Sequence, residues 1–205
     1  MTNKERMLNS QLYVANDPEL RRDFKHGRVL TRLFNQTTEE QEAYRRALIS
    51  KIFGKVGDHA HVEPPFHTDY GINTTIGQNF YANYDCIFID VGQITIGDNV
   101  MFGPRVGLYT AGHPIDPTVR NEGYEYGYPI TIGNNVWIGG NVVVNPGVNI
   151  GNNVVIGSGS IVTHDIPDNV IAVGNPCRIL REINDEDKQK WEAQKQAYLI
   201  DEDTK

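Results

Sequence analysis

The sequence predicts a parallel β-helix with helices at both ends, and two repeated series of aliphatic residues support this prediction. Between residues 129 and 167 both series recur at a spacing of six, a period that no α-helix or flat strand has. The first series is Ile132, Ile138, Val144, Ile150, Ile156 and Val162. The second lies four positions later and consists of Val136, Val142, Val148, Val154 and the small Ser160. The residues directly after the first series are Gly133, Gly139, Asn145, Gly151, Gly157 and Thr163.

We interpret each six-residue unit as a short extended side followed by a corner. The aliphatic residue points inward, and Gly or Asn stands at the corner, where the backbone needs unusual dihedral angles. One unit cannot bury its own apolar face, whereas three sides close one coil and stacked coils align Val and Ile into a continuous core. A run of ordinary hairpins is the alternative, but hairpins would not keep one phase over so many units.

Composition narrows the class of protein. A chain of 205 residues can form one main domain with a smaller appendage. The net charge of −7 and the lack of a basic run argue against nucleic acid or an anionic membrane as the main partner. The first residues lack a signal-peptide core, and no apolar stretch is long enough to span a membrane, so we expect a cytoplasmic protein with a small-molecule role. Cys86 and Cys177 are expected to be packed thiols rather than a disulfide or a zinc site.

Residues 1–56 are predicted to form a helical segment, because they are charged and poor in Gly. Asn16 or Asp17 can cap a helix whose first turn contains Pro18, and Gly27 should weaken the middle of that helix. Thr37 with Glu40 has the spacing of a capping box at the start of the next helix. One face of that second helix is predicted to carry Tyr44, Ala47, Leu48 and Ile52.

The β-helix is predicted to cover residues 57–182. Residues 59–70 are expected to form an extended entry, and a first block of repeats follows at Ile76, Ala82 and Phe88. The next block starts at Ile96, which is 20 rather than 18 residues after Ile76, so a two-residue insertion is expected around Asp90–Gln93. This second block consists of Ile96, Phe102 and Leu108.

Residues 109–129 break the repeat and are rich in Gly, Pro, Tyr and charge, which indicates a protruding loop. Long loops in compact repeat proteins are usually functional. After Pro167 the apolar segment 168–180 is expected to cap the open coil. Residues 183–205 are predicted to be a C-terminal helix that starts at Asn184 or Asp185 and carries Trp191, with a fraying tail DEDTK.

The chain resembles the hexapeptide-repeat O-acetyltransferases of the maltose, galactoside and nodulation group. The resemblance covers nearly the whole chain and is carried by YGINTTIGQNFYANYDC (70–86), ITIGDNV (94–100), TAGHPIDP (110–117), PITIGNNVWIGGNVVVNPGVNIG (129–151), VTHDIP (162–167) and VGNPCRI (173–179). It implies a left-handed parallel β-helix, a homotrimer, acetyl-CoA bound between neighbouring subunits, and direct acetyl transfer to a sugar hydroxyl. It also implies that His113, the histidine of the loop, is the general base.

General-base catalysis by His113 is chemically reasonable. A sugar hydroxyl is a poor nucleophile near neutral pH, so a base must take its proton as the new C–O bond forms. Histidine, with an ordinary pKa of about 6.5, suits this role and typically contributes about 10²–10⁴-fold. His113 lies in a Gly-His-Pro turn of the only long loop, and the alternative is a turn histidine without a chemical role.

The resemblance also implies the binding residues. For the acceptor sugar they are Asp69, Asn83 and Asp90, whose oxygens can accept hydrogen bonds from sugar hydroxyls, although such residues are also ordinary corner residues. For acetyl-CoA they are Trp137, Gly140, Ser158, Thr163, His164, Arg178 and Arg181. In that set the N–H of Gly140 would stabilise the oxyanion, and the two arginines could bind phosphate.

Two other functions fit a hexapeptide β-helix. His59, His61 and His67 lie close together in sequence and could ligate a metal, as in the γ-class carbonic anhydrases. That class draws its ligands from successive coils rather than from a segment before the coils, so we expect no metal site. The other alternative is a coil scaffold that binds without catalysis.

Overall fold

The computed structural model describes residues 1–203. Its helices are α1 (Asn3–Leu8), α2 (Pro18–Asn35), α3 (Glu42–Ile52), α4 (Pro117–Asn121) and α5 (Asp185–Asp203), with a 3₁₀ turn at Glu39–Gln41. Its strands are β1 (Tyr13–Val14), β2 (Lys55–Val56), β3 (His61–Val62), β4 (Phe66–Thr68), β5 (Thr74–Ile76), β6 (Tyr81–Ala82), β7 (Cys86–Ile89), β8 (Ile94–Ile96), β9 (Met101–Phe102), β10 (Gly107–Tyr109), β11 (Ala111–Gly112), β12 (Tyr124–Gly127), β13 (Ile130–Ile132), β14 (Trp137–Ile138), β15 (Val143–Val144), β16 (Asn149–Ile150), β17 (Val155–Ile156), β18 (Ile161–Val162), β19 (Val170–Val173) and β20 (Arg178–Glu182).

Three parallel sheets form a left-handed β-helix of about six turns, as predicted. Sheet I contains β2, β5, β8, β13 and β16, and sheet III contains β4, β7, β10, β15 and β18. Sheet II contains β3, β6, β9, β14, β17, β19 and β20. Each coil passes from sheet I to II to III, so we name the corners I–II, II–III and III–I; in one coil they are residues 133–136, 139–142 and 145–148.

The repeat phase is confirmed, because every residue of both aliphatic series and of the two earlier blocks is at most 2 % exposed. Ile132 pairs in register with Ile96 on one side and Ile150 on the other, so equivalent positions stack from coil to coil. The predicted insertion is also confirmed, since Ile76 pairs with Ile96 although the two are 20 residues apart. Stacking removes the apolar area of each coil from water, which is the main stabilisation available to this fold.

The segment predicted as an extended entry is already part of the first coil. Val56 pairs with Ile76, Val62 with Ala82, and Thr68 with Phe88, so the six-residue phase begins at β2. The prediction missed this coil because its third inward position is the polar Thr68 and because Ile76 follows Thr68 by eight residues rather than six.

The N-terminal helices cover this end of the β-helix. Phe34 of α2 and Leu48 and Ile52 of α3 join the same buried cluster as the coil residues Val62 and Phe66. Asp17 caps α2 as predicted, with Pro18 in the first turn. Covering the end keeps apolar core residues of the first coil from water.

Gly27 of α2 has a packing role that its low helix propensity does not reveal. A Cβ at this position would lie 2.5 Å from the backbone oxygen of Tyr70, so only glycine lets α2 approach the coil so closely.

Two details of the predicted helices are wrong. The capping box consists of Thr38 and Gln41 rather than Thr37 and Glu40, because the Thr37 hydroxyl donates to the Phe34 carbonyl and accepts from Arg45. The buried face of α3 consists of Arg45, Leu48, Ile49 and Ile52, whereas Tyr44 and Ala47 are exposed.

The C-terminal end is closed by a hairpin. β19 continues the parallel stack on β17, and β20 folds back antiparallel on β19, which ends the stack as expected for a cap. Asn184 then caps α5 by accepting from the N–H groups of Glu186 and Asp187. Asp201–Asp203 of the tail predicted to fray lie within α5, and Thr204 and Lys205 lie outside the described residues. Over residues 1–203, no helix is long and apolar enough to cross a membrane.

The predicted loop at 109–129 protrudes from corner III–I and has structure of its own. After β10 it forms β11, α4 and β12 before the coil resumes at β13. β12 pairs antiparallel with both β11 and β1, so the hairpin is joined to the N-terminal segment in a three-stranded sheet.

Candidate active site

A large cavity lies at corner III–I, where the protruding hairpin meets the N-terminal segment. Its volume is about 780 Å³, and it is lined by Tyr13, Ala15, Asn16, Leu20, Arg21, Arg22, Phe24, Lys25, Asp69, Tyr70, Val91 and Glu125. Much of this lining belongs to a second apolar cluster that includes Tyr13, Leu20, Tyr70 and Val91. A mostly apolar cleft with a few convergent polar groups is the usual form of a small-molecule site.

Asp69, a predicted acceptor-binding residue, lines this cavity. One carboxylate oxygen lies 3.0 Å from a guanidinium nitrogen of Arg28, and the side chain is 14 % exposed. Burial raises the pKa of Asp69, the Arg28 charge acts against this, and the nearby Glu125 adds to the rise. Two carboxylates beside an apolar wall can accept hydrogen bonds from sugar hydroxyls.

Glu125 was not among the predicted site residues. It is a partner in the antiparallel pairing of β1 with β12, and the hydroxyl of Tyr13 donates to its carboxylate over 2.9 Å. Burial first, and then Glu125, raise the pKa of Tyr13 above its ordinary range, so this hydroxyl remains a donor at physiological pH. The only sequence signal for Glu125 was its place in the long loop.

His113 lies on the hairpin, directly after β11, and its side chain is exposed. It does not line the cavity, but Ala111, two residues earlier, packs against the apolar cluster of the cavity, and Gly112 pairs with Tyr126, the neighbour of Glu125. Arg120 fixes the turn by donating to the carbonyls of Pro114 and Ile115, both over 3.0 Å. Among residues 1–203 no side chain holds the imidazole in a hydrogen bond, so it is free to meet a substrate.

Asp90 does not fit its predicted role in direct contact with the acceptor, because its side chain is fully buried. Its carboxylate accepts from the Thr68 hydroxyl and the Tyr70 N–H, both over 2.8 Å, and from the Thr74 hydroxyl over 3.3 Å. Asp90 therefore holds the preceding corner in shape, and that corner carries Asp69. A sequence pattern cannot distinguish this buried role from an exposed corner aspartate.

Burial raises the pKa of Asp90 to about 6, although its hydrogen-bond donors act in the opposite direction. Between the unfolded pKa near 4 and this value, the folded chain binds more protons than the unfolded chain, so stability falls as the pH rises. We therefore expect Asp90→Asn to gain stability relative to wild type between pH 4 and pH 7, by up to about 3 kcal/mol at ~1.4 kcal/mol per pKa unit. Urea unfolding at several pH values measures this difference.

The control is Asp58→Asn, the same chemical change at an exposed aspartate. At this exposed position the change should leave the free energy of unfolding close to that of wild type. A difference between Asp90→Asn and wild type that does not change with pH would contradict the raised pKa.

Several predicted cofactor residues lie at a different corner, II–III. This corner carries Asn83, Gly140 and Ser158, with one coil lying between that of Asn83 and that of Gly140. Trp137 is 54 % exposed on the outer face of the adjoining sheet II. The Asn83 side chain accepts from the N–H of Tyr84 over 2.8 Å. The structure therefore places Asn83 at the same corner as Gly140 and Ser158, and not at the corner that carries Asp69 and the hairpin of His113.

The Gly140 N–H has no acceptor among the described residues, in contrast to the amides of corner I–II. There each coil's amide donates to a side-chain oxygen of the next coil: Gln78 to Asp98, Asp98 to Asn134, Asn134 to Asn152 and Asn152 to Asp168, over 2.6 to 2.8 Å. Gly140 itself is partly exposed, and its carbonyl accepts from Gly159. An unpaired, partly exposed amide is suited to stabilise an oxyanion.

The remaining predicted residues lie near the C-terminal end. His164 and Arg178 line a common cavity of about 500 Å³, and Thr163 contacts His164 over 2.8 Å. Arg181 is paired with both carboxylate oxygens of Asp187, over 2.6 and 2.7 Å. This pairing lowers the pKa of Asp187 to about 2, and it leaves Arg178 freer than Arg181 to bind a phosphate.

The three histidines considered as metal ligands are not brought together. His61 lies on β3 of sheet II, where it stacks on Tyr81 and contacts Glu63, whereas His67 lies on β4 of sheet III. Within residues 1–203, no group of three or more His, Cys, Asp or Glu side chains is arranged to hold a metal ion. Cys86 and Cys177 are buried free thiols, as predicted.

Two parts of the chain match described families. Residues 6–57 match the maltose acetyltransferase hexapeptide capping motif, and residues 129–164 match the bacterial transferase hexapeptide of six repeats. The chain is 48 % identical to a galactoside O-acetyltransferase of Escherichia coli K12 over 165 residues, which is 80 % of this chain and 81 % of the relative.

Solved structures show the same similarity over most of the fold. A maltose O-acetyltransferase from Clostridium difficile 630 is 54 % identical with a TM-score of 0.89, covering 90 % of this chain and 98 % of that one. A galactoside acetyltransferase in complex with coenzyme A is 48 % identical with a TM-score of 0.89, covering 92 % of this chain and 94 % of that one.

Proposed function

The chain belongs to the hexapeptide-repeat acetyltransferases of the maltose and galactoside type, and from this membership we propose that it transfers an acetyl group from acetyl-CoA to a hydroxyl of a small sugar or glycoside. The observation that carries the proposal is the cavity of about 780 Å³ beside the hairpin of His113, with two carboxylates in an apolar wall. Residues 1–56 supply one wall of this cavity, residues 57–182 supply the coil, and residues 183–205 follow it.

In this proposal His113 takes the proton of the acceptor hydroxyl as its oxygen attacks the thioester carbonyl. The Gly140 N–H donates to the carbonyl oxygen as negative charge develops there, since this amide has no other acceptor among the described residues. As the C–S bond breaks, the protonated His113 returns its proton to the departing sulfur. This mechanism needs no covalent acetyl-enzyme intermediate. The proton that His113 takes from the hydroxyl is the one that it gives to the sulfur.

Binding roles follow from position. Asp69 is assigned to the acceptor, with Asn83 as a second contact from corner II–III. Trp137, Ser158, Thr163, His164 and Arg178 are assigned to acetyl-CoA, while Arg181 would first have to release Asp187.

The proposed mechanism requires neighbouring chains, because a single chain holds His113 at corner III–I and Gly140 at corner II–III. The outer faces of the sheets support association between chains, and the family resemblance suggests a homotrimer. The outward residues of sheet I are polar: Lys55, Thr75, Thr95, Thr131 and Asn149. Those of sheet II are mostly apolar or aromatic: His61, Tyr81, Met101, Trp137, Val155 and Ile171. Those of sheet III include Ile87, Val143 and Ile161. Faces of this kind are typical of subunit interfaces.

We expect a trimer with a mass about three times the 23.1 kDa of one chain in light scattering. We also expect catalytic complementation between two inactive variants, His113→Ala and Gly140→Pro. Gly140→Pro removes an N–H that has no acceptor among the described residues. Gly140→Ala keeps this N–H and is the matched control, with its Cβ 3.2 Å from Pro104. When the two inactive variants are co-expressed, some interfaces contain both intact residues, so activity should reappear.

A monomeric mass, or mixed trimers as inactive as either variant alone, would contradict a site between subunits.

The activity itself is tested by thiol release from acetyl-CoA with a panel of sugars. The function proposed here would be wrong if no hydroxyl acceptor in the panel stimulates thiol release by folded protein.

A further inference from the structure

One wall of the cavity at corner III–I is basic. Arg21, Arg22 and Lys25 of α2 all line it, although the chain as a whole carries a net charge of −7. Arg21 and Lys25 are four residues apart and Arg22 and Lys25 three apart, so the helix places their side chains on one side. The three basic residues therefore form a local reversal of the overall charge at this cavity.

The acidic groups of the cavity already have partners. Asp69 is paired with Arg28 over 3.0 Å, and Glu125 accepts from the Tyr13 hydroxyl over 2.9 Å. Arg28 compensates the charge of Asp69, so the three cations of α2 outnumber Glu125, the one other carboxylate that lines the cavity.

The three basic residues make only weak hydrogen bonds and ion pairs with other side chains. The Arg21 guanidinium donates to the neutral side chain of Asn16 over 3.2 Å, and Arg22 lies 3.9 Å from Asp23. Lys25 has no ion pair within residues 1–203. A cavity built only for a neutral sugar would not need three such cations along one wall.

We propose that the acceptor of this enzyme is an anionic sugar derivative, one whose phosphate or carboxylate group is bound by Arg21, Arg22 and Lys25. This inference rests on the proposed acetyl transfer and names its substrate class. Arginine binds phosphate and carboxylate through paired hydrogen bonds, and the lysine adds a point charge. The sugar ring would lie against Phe24 and Tyr70, which pack edge to face with centroids 5.9 Å apart, and its hydroxyls would meet Asp69 and Glu125.

The test compares acceptors that differ only in the anionic group. The kcat/KM of the wild-type enzyme is measured by thiol release with glucose, glucose 6-phosphate and glucuronate. We expect at least one anionic acceptor to exceed glucose by about tenfold or more, mainly through a lower KM. This preference should shrink as the salt concentration rises, because the groups at the rim of the cavity are partly exposed and screened.

Variants of the basic residues test whether they cause the preference for an anionic acceptor. Arg21→Gln with Lys25→Gln should bring the ratio of anionic to neutral acceptor close to one while leaving kcat/KM for glucose within about twofold. The matched control for the single variant Lys25→Gln is Arg32→Gln on the same helix, which also loses one positive charge but does not line this cavity. Lys25→Gln alone serves if the double variant has a lowered melting temperature.

The outcomes separate the two proposals. The proposal of an anionic acceptor is wrong if kcat/KM for glucose equals that for glucose 6-phosphate and glucuronate, or if the glutamine variants keep the preference. Either result leaves the proposed acetyl transfer intact. If neither neutral nor anionic sugars release thiol, the proposed function fails first. A preference equally reduced by Arg32→Gln would mean that the overall charge of α2 attracts anions without a site in the cavity, which overturns the assignment.

Discussion

Replacing His113 with alanine should lower turnover with a sugar acceptor by roughly 10²–10⁴-fold and leave the fold unchanged. The side chain is exposed and makes no hydrogen bond within the described residues, so its loss removes no packing. The proposed cofactor contacts lie at Gly140, Ser158, Thr163 and Arg178 rather than on the hairpin, so the affinity for acetyl-CoA should be retained. Thiol-release kinetics and cofactor titration measure these two quantities separately.

The pH profile adds a second readout. The wild-type rate should fall at acid pH, because a protonated imidazole cannot act as a base, and this acid limb should be lost in the residual activity of the variant. His59→Ala, an exposed histidine at corner I–II, is the control and should retain wild-type turnover. If His113→Ala keeps more than about half of wild-type turnover, the acceptor must be activated by another group or by solvent. Asp90 is a poor candidate because it is fully buried.

The second large effect is expected in the core. Val144→Asp should prevent folding, because Val144 is fully buried between Leu108 and Val162 of the neighbouring coils. A buried carboxylate without a partner costs several kcal/mol, which is comparable to the whole stability of an ordinary domain, about 5–15 kcal/mol. Soluble expression and the melting temperature report the result.

Thr131→Asp is the matched control for this change. It introduces the same carboxylate on sheet I, but at an exposed position that points away from the coil. The control should fold and should melt within a few degrees of wild type. Soluble Val144→Asp with an unchanged melting temperature would show that the inward phase of the repeat is incorrectly assigned.

Departures from the sequence-based prediction occur where the local pattern is weak. The first coil was missed because Thr68 occupies an inward position, and its hydroxyl is satisfied there by Asp90 from the next coil. The buried Arg45 of α3 is tolerated because its guanidinium donates to Thr37. In both cases a polar side chain in the interior is compensated by a partner that the spacing of apolar residues does not reveal.

In the candidate active site, too, some residues were indicated by the sequence and others were identified only in the structure. The resemblance directed attention to Asp69 and to the loop of His113, and the structure places Asp69 in the large cavity beside that loop. Glu125 was not anticipated, because its role depends on a hydrogen bond to Tyr13, which lies 112 residues away in the chain. Asp90 was assigned to the acceptor because its residue type is suitable, but burial by surrounding coils gives it a structural role.

From Ile76 onward, the amino-acid sequence alone specified the phase of the repeat, the residues that point inward, the insertion near Asp90 and the interruption at 109–129. These are local properties, because a spacing of six residues specifies which side chains share a face. The folded structure was needed to show that Arg28 pairs with Asp69, that the protruding hairpin joins β1, and that His113 and Gly140 lie at different corners of one chain. The physical reason is that pairing, burial and corner position depend on which coils and helices are stacked together, and residues far apart in the chain decide that.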